Sequence, residues 1–150
     1  MEQLQPLEVG IVVADLDRML AFYTEVLSCV EQRRSDIPVE LSRALKAAPE
    51  GYINVWLKTP FGEVIKLVKP PASPVIDRAP EFSSARSGFA YLSFYCSQIE
   101  AVLALARAKG AQVRSDDWTM SGSIGLKLVF FEDPEGNVIE LVEPGAASAR

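Results

Sequence analysis

The chain has 150 residues, enough for one domain to bury a core without disulfides. A formal net charge of −5 and a pI near 4.8, with no basic stripe, argue against nucleic-acid or anionic-membrane binding. There is no histidine, so the commonest metal ligand is missing. The two cysteines, Cys29 and Cys96, lie far apart in apolar surroundings and read as small buried thiols.

Met1-Glu2-Gln3-Leu4-Gln5-Pro6 has neither a basic region nor an apolar run and does not read as a signal peptide. No apolar stretch approaches the roughly 18 residues of a membrane span, so a cytoplasmic protein is expected. Glu8 to Val13 reads as a strand, with Val9, Ile11 and Val13 on one face and Glu8, Gly10 and Val12 on the other. Asp15 then caps a helix whose apolar positions are Leu16, Met19, Leu20, Tyr23, Val26 and Leu27. Gln32 to Gly51 has no clear period, apart from a short helix over Val39–Ala47 after Pro38, with room for a further strand around Cys29–Arg34. Tyr52 to Lys58 alternates as a strand, with Asn54 and Trp56 opposite Ile53, Val55 and Leu57. Glu63–Val68 follows as another.

Lys69 to Ser87 carries Pro70, Pro71, Pro74 and Pro80 and reads as a linker. After it the plan repeats. Gly88–Cys96 is a strand with Tyr91, Ser93 and Tyr95 on one face and Leu92 and Phe94 on the other. Ser97-Gln98-Ile99-Glu100 has the form of a capping box, the helix stripe is Ile99, Val102, Leu103 and Ala106, and Lys109-Gly110 closes it. Gly125–Phe131 and Gly136–Val142 are the last strands.

The repeat is explicit in two segments. Pro60-Phe61-Gly62-Glu63-Val64-Ile65-Lys66-Leu67-Val68-Lys69-Pro70 aligns without a gap to Pro134-Glu135-Gly136-Asn137-Val138-Ile139-Glu140-Leu141-Val142-Glu143-Pro144. Each copy is a glycine turn feeding a strand that ends at proline. At the same strand position one copy holds Lys66 and the other Glu140. Aligning the first strands of the two halves sets Glu8 opposite Tyr91. The expected fold is α+β, two tandem βαβββ modules (about 7–69 and 88–144, then a tail at 145–150). Their strands are expected to form a curved mixed sheet with helices on the outer face. Glu8, Lys66, Tyr91 and Glu140 would then converge on the concave side, where a cavity would form.

Leu7-Glu8-Val9-Gly10-Ile11-Val12-Val13-Ala14-Asp15-Leu16-Asp17-Arg18, and above all Asp133-Pro134-Glu135-Gly136-Asn137-Val138-Ile139-Glu140-Leu141, resemble the opening and closing motifs of the vicinal oxygen chelate superfamily. That superfamily includes glyoxalase I, extradiol dioxygenases, fosfomycin resistance enzymes and bleomycin resistance proteins. The resemblance runs from about Leu7 to Pro144, and it hosts many reactions. It implies ligand positions, most often His, Glu, His and Glu, that fall here on Glu8, Lys66, Tyr91 and Glu140. Only Glu140 is the usual residue. Lys66 has donors and no lone pair when protonated. Its charge about 4 Å from a cation would cost several kcal/mol at an effective dielectric of about 20. A two-His-one-carboxylate iron site cannot form without histidine, which excludes the extradiol dioxygenases. An all-oxygen Mg²⁺ site on Glu8 and Glu140 stays open, but the reading adopted is no metal and no cofactor.

On that reading Lys66 pairs with Glu8 and Glu140. The pairing is either a structural ion pair between the halves or a catalytic group. As catalysts, Lys66 would polarise a carbonyl or hold a carboxylate, Glu8 or Glu140 would act as base, and Tyr91 would donate to an oxyanion. That set suits an isomerase, epimerase or lyase. The alternative is a binding protein that sequesters a drug or metabolite, resembling bleomycin resistance proteins. Asn54, Trp56, Ser93, Tyr95, Phe130 and Arg43 are expected to contact the small organic substrate or ligand. The resemblance also implies a homodimer. It further makes Ser28, where the family usually has glycine, an open point of turn geometry.

Overall fold

Asp15, extended at φ −123°, starts the first helix by accepting the Arg18 N–H at 3.0 Å on its carboxylate. The computed structural model describes residues 2–115 and 125–145, with the backbone alone of 119–121. The remainder of the tail expected at 145–150 lies outside the described residues. Two compact units emerge, Met1–Ile76 and Asp77–Arg150.

The first unit contains β1 (Glu8–Val12), α1 (Leu16–Glu25), β2 (Val30–Ile37), α2 (Val39–Ala44), β3 (Tyr52–Lys58) and β4 (Val64–Lys69). Its sheet runs β1-β4-β3-β2, with β1 parallel to β4 and the other pairs antiparallel. Leu16, Met19, Phe22 and Tyr23 recur at helical spacing and are buried, together with Val13, Val55, Leu57, Ile65 and Leu67. Each such side chain contributes roughly 1.5–3 kcal/mol by leaving water.

In the second unit, after a single 3₁₀ turn at Ser83–Ala85, come β5 (Leu92–Tyr95), α3 (Ile99–Ala108), β6 (Gln112–Val113), β7 (Thr119–Ser121), β8 (Leu126–Glu132) and β9 (Val138–Glu143). Its sheet runs β5-β9-β8-β6, with β7 also on β8 and β5 parallel to β9. Ile99, Leu103 and Ala106 line the buried stripe of α3, and Val129, Phe131, Ile139 and Leu141 are buried with them. Each unit is therefore the expected βαβββ module. The outer strand position, filled by β2 in the first, is divided in the second between β6 and β7, which pair with opposite ends of β8.

The turns before β4 and β9 have one geometry and two chemistries. Thr59 N–H donates to Glu63 O at 2.8 Å and Gly62 N–H to Thr59 O at 3.1 Å. Asp133 N–H donates to Asn137 O at 2.9 Å and Gly136 N–H to Asp133 O at 3.0 Å. Gly62 and Gly136 take φ of 121° and 93°, where a side chain would be strained. In the first turn the Thr59 hydroxyl donates to Glu63 at 2.5 Å, which holds that carboxyl below its ordinary range. In the second the buried Asp133 carboxylate accepts from Glu135 N–H, Asn137 N–H and Asn137 Nδ2 at 3.0, 2.9 and 2.8 Å. These turns set where β4 and β9 begin, and hence which way Lys66 and Glu140 point.

Four expectations need correction. The strand allowed around Cys29–Arg34 forms, but it runs over Val30–Ile37, so Gln32–Ile37 is not irregular chain. Every residue of β2 but Ile37 is exposed, so no apolar alternation marks it. Gly88–Cys96 shrinks to Leu92–Tyr95, because the ladder with β9 begins only at Leu92↔Ile139. Tyr91 thus precedes the strand, and Phe89 is 97% exposed. The capping box does not form. α3 starts after Gln98, which makes no side-chain cap bond, and Glu143 from β9 accepts the Ile99 N–H at 2.8 Å instead. Finally, β3 is buried on both faces, since Asn54 and Trp56 are buried as well as Val55 and Leu57. The Ser28 question resolves as a left-handed serine at φ 55°.

Candidate functional site

The face of the first sheet opposite Ile11, Val55, Leu57, Ile65 and Leu67 carries Glu8, Gly10, Asn54, Trp56 and Lys66. The Lys66 ammonium donates to the Glu8 carboxylate. Lys66 lies opposite Trp56 on β3, with its Nζ 5.7 Å from the ring centroid. On the other side of Trp56 stands Arg33, whose guanidinium carbon is 3.8 Å above the ring. Trp56 is thus flanked by a cation on either neighbouring strand.

Arg33 reaches this face because of an irregularity. Glu31 pairs with Leu57 and Arg33 with Trp56, so Gln32 is the extra residue of a β-bulge. Strict alternation would have turned Arg33 to the helix side. The bulge re-aims it. The only signal for it in the sequence was the Arg33-Arg34 doublet, which the missing alternation of β2 left unplaced.

Asn54 Oδ1 and Trp56 Nε1 are buried without a hydrogen-bond partner among the described residues. Arg43 is elsewhere. It sits in α2 and donates from Nε to the Pro49 carbonyl at 2.7 Å, folding the loop before β3.

In the second sheet the corresponding row is Ser93, Glu140 and Phe130. The Ser93 hydroxyl donates to the Glu140 carboxylate. Tyr91 is half-exposed and packs edge-on against Phe130, with centroids 5.1 Å apart. Tyr95 shares the face and is 72% exposed. Cys29, away from both rows, is buried, and burial pushes its thiol up to about 11. Cys96 is half-buried and shifts the same way.

Tandem βαβββ modules, each presenting a polar row on the sheet face away from its helix, define a vicinal-oxygen-chelate protein. The family model of the Glyoxalase/Bleomycin resistance protein/Dioxygenase superfamily matches residues 5–141, and the chain belongs to that superfamily. It is 28% identical over 137 residues to a lactoylglutathione lyase of Arabidopsis thaliana, covering 89% of this chain and 42% of that protein. The chain spans less than half the length of the curated relatives it matches. A glyoxalase family protein of Bacillus cereus superposes with a TM-score of 0.81 at 21% identity, covering 97% of both chains. Glyoxalase I of Zea mays gives 0.67 at 21% identity, over 93% of this chain and 47% of that one. Among the described residues no helix is long and apolar enough to cross a membrane.

Proposed function

We propose that this protein is a metal-independent enzyme, an isomerase, epimerase or lyase performing acid–base chemistry next to a carbonyl or carboxylate. The observation that carries the reading is the Lys66–Glu8 ion pair at two of the family's ligand positions. A divalent cation there would meet an ammonium without a lone pair, and a carboxylate already engaged by it. The donor set does not fit such a cation.

Lys66, fixed by Glu8, holds the substrate's carbonyl or carboxylate oxygen and lowers the cost of negative charge on it. Glu140, oriented by the Ser93 hydroxyl, takes the proton from the adjacent carbon. Tyr91, its ring steadied by Phe130, donates to the developing oxyanion. That the four residues serve one ligand, in the cytoplasm and in a homodimer, is part of the proposal. Lactoylglutathione, from the relatives' name, is the first candidate substrate.

The test is hydrogen exchange in D₂O, followed by NMR, on lactoylglutathione and a panel of small keto and hydroxy acids. The native protein is expected to exchange a C–H next to a carbonyl, with or without EDTA. Glu140→Gln and Tyr91→Phe should each lower the rate by about 10²-fold or more. Exchange that stops with EDTA and returns with a divalent cation overturns metal independence. Tight binding with no exchange across the panel establishes the alternative, a ligand-sequestering protein, which the exposed Tyr91 and Tyr95 rings favour as stacking surfaces. A monomer by light scattering would remove the dimer.

A further inference from the structure

We infer that Arg33, Trp56 and Asn54 form a recognition site for a hydroxycarboxylate, with Arg33 as the residue that selects the carboxylate. Arg33 is exposed, and its guanidinium carbon lies 3.8 Å from the Trp56 ring centroid. A guanidinium held over an indole is restrained in position, and its planar fork of donors matches a carboxylate in two parallel hydrogen bonds. Lys66, on the neighbouring strand at 5.7 Å from the ring centroid, adds to the positive potential of this face.

Two independent observations point to a ligand here. Asn54 and Trp56 are 6% and 9% exposed, and among the described residues Asn54 Oδ1 and Trp56 Nε1 lack partners. Buried polar atoms are almost always paired, so an acceptor and a donor left unpaired on one sheet face call for a group that both gives and takes a hydrogen bond. A hydroxyl does both. Asn54 is two residues from Trp56 and diagonal to Arg33, which puts its amide roughly 7 Å from the arginine strand position, a span fitting one small molecule. On the same face Gly10, register partner of Lys66, leaves space beside the lysine, since a Cβ there would meet nothing within 4 Å.

The assignment rests on the preceding reading only in taking this face as the ligand-binding one. Its test reads binding, not turnover. The Trp56 indole N–H is followed by ¹H–¹⁵N NMR, identified with Trp56→Phe, while lactate and 4-hydroxybenzoate are titrated in parallel with 4-hydroxybenzamide and benzoate. At least one hydroxycarboxylate should shift the Trp56 signal saturably, and the neutral amide should not. Arg33→Met should weaken binding by roughly 10- to 100-fold, with Arg33→Lys in between, as expected for one charge-assisted bidentate contact. No saturable shift with either hydroxycarboxylate, or equal binding by Arg33→Met, overturns the site. Benzoate binding as well as 4-hydroxybenzoate overturns the hydroxyl's part in it. If the shifts appear but the D₂O exchange does not, the catalytic proposal falls and this one stands.

Discussion

The ion pair between Lys66 and Glu8 can be weighed by a double-mutant cycle of Lys66→Met, Glu8→Gln and the pair together. At about 4 Å, Coulomb attraction amounts to about 4 kcal/mol at an effective dielectric of 20 and about 1 kcal/mol in water. The two side chains are 29% and 35% exposed, so water screens the pair partly. Desolvation and the ordering of the lysine stem subtract further, leaving a coupling of about 1 kcal/mol, the upper end for exposed pairs. Urea unfolding of the four proteins gives the coupling directly. It should shrink in molar salt, where the screening length falls to about 3 Å. A coupling within about 0.3 kcal/mol of zero would refute the reasoning. Lys66 would then not be holding Glu8, and only the ammonium's lack of a lone pair would still speak against a cation at the position.

Ser28, held at φ 55°, should be better as glycine. Ser28→Gly is expected to gain about 0.5–1 kcal/mol and raise Tm by about 1–4 °C in a scanning experiment, and a lower Tm would contradict this. Asp133→Ala removes an acceptor of three hydrogen bonds and should cost about 3 kcal/mol or more, against about 1 kcal/mol for Thr59→Ala at the equivalent turn. Equal losses in urea would show that the two turns do not differ as described. Cys29 should resist thiol reagents at pH 8, where a pKa of about 11 leaves about one molecule in a thousand as thiolate. Because its folded pKa lies above the unfolded value, the neutral thiol's contribution is present below about pH 9 and is lost as pH rises through 11. Fast native labelling of Cys29, or stability flat across that interval in Cys29 relative to Cys29→Ala, would contradict it.

Much of the fold was legible in advance because duplicated segments carry their own alignment. The turns at Gly62 and Gly136, the Asp15 cap and the strand at Tyr52–Lys58 all lie where the residue pattern puts them. β2 was legible only in part, as room for a strand around Cys29–Arg34, and for a physical reason. It is an edge strand exposed almost throughout, so selection for burial left no period to read. With it went Arg33, whose placement depends on a bulge that no local residue preference announces. Arg43 illustrates the converse. Its charge suggested a ligand contact, whereas its hydrogen bond from Nε to the Pro49 carbonyl could not be read from the charge. Ser93 is the mixed case, since its face was foreseen while its partner, the Glu140 carboxylate, emerged only from the β5–β9 register.

The segment between the modules is shorter than its prolines suggest. Arg114, nearly buried, donates to the Pro80 carbonyl, to the Glu81 carbonyl at 2.5 Å and to Glu132 at 2.6 Å. Arg78 adds a 2.8 Å contact to the same carboxylate. The chain from Arg78 to Glu81 is therefore strapped onto the second module. Between β4 and that strap run Pro70 to Asp77, which fully stretched reach at most about 3.3–3.6 Å per residue. That length caps how far the end of β4 can stand from the strap.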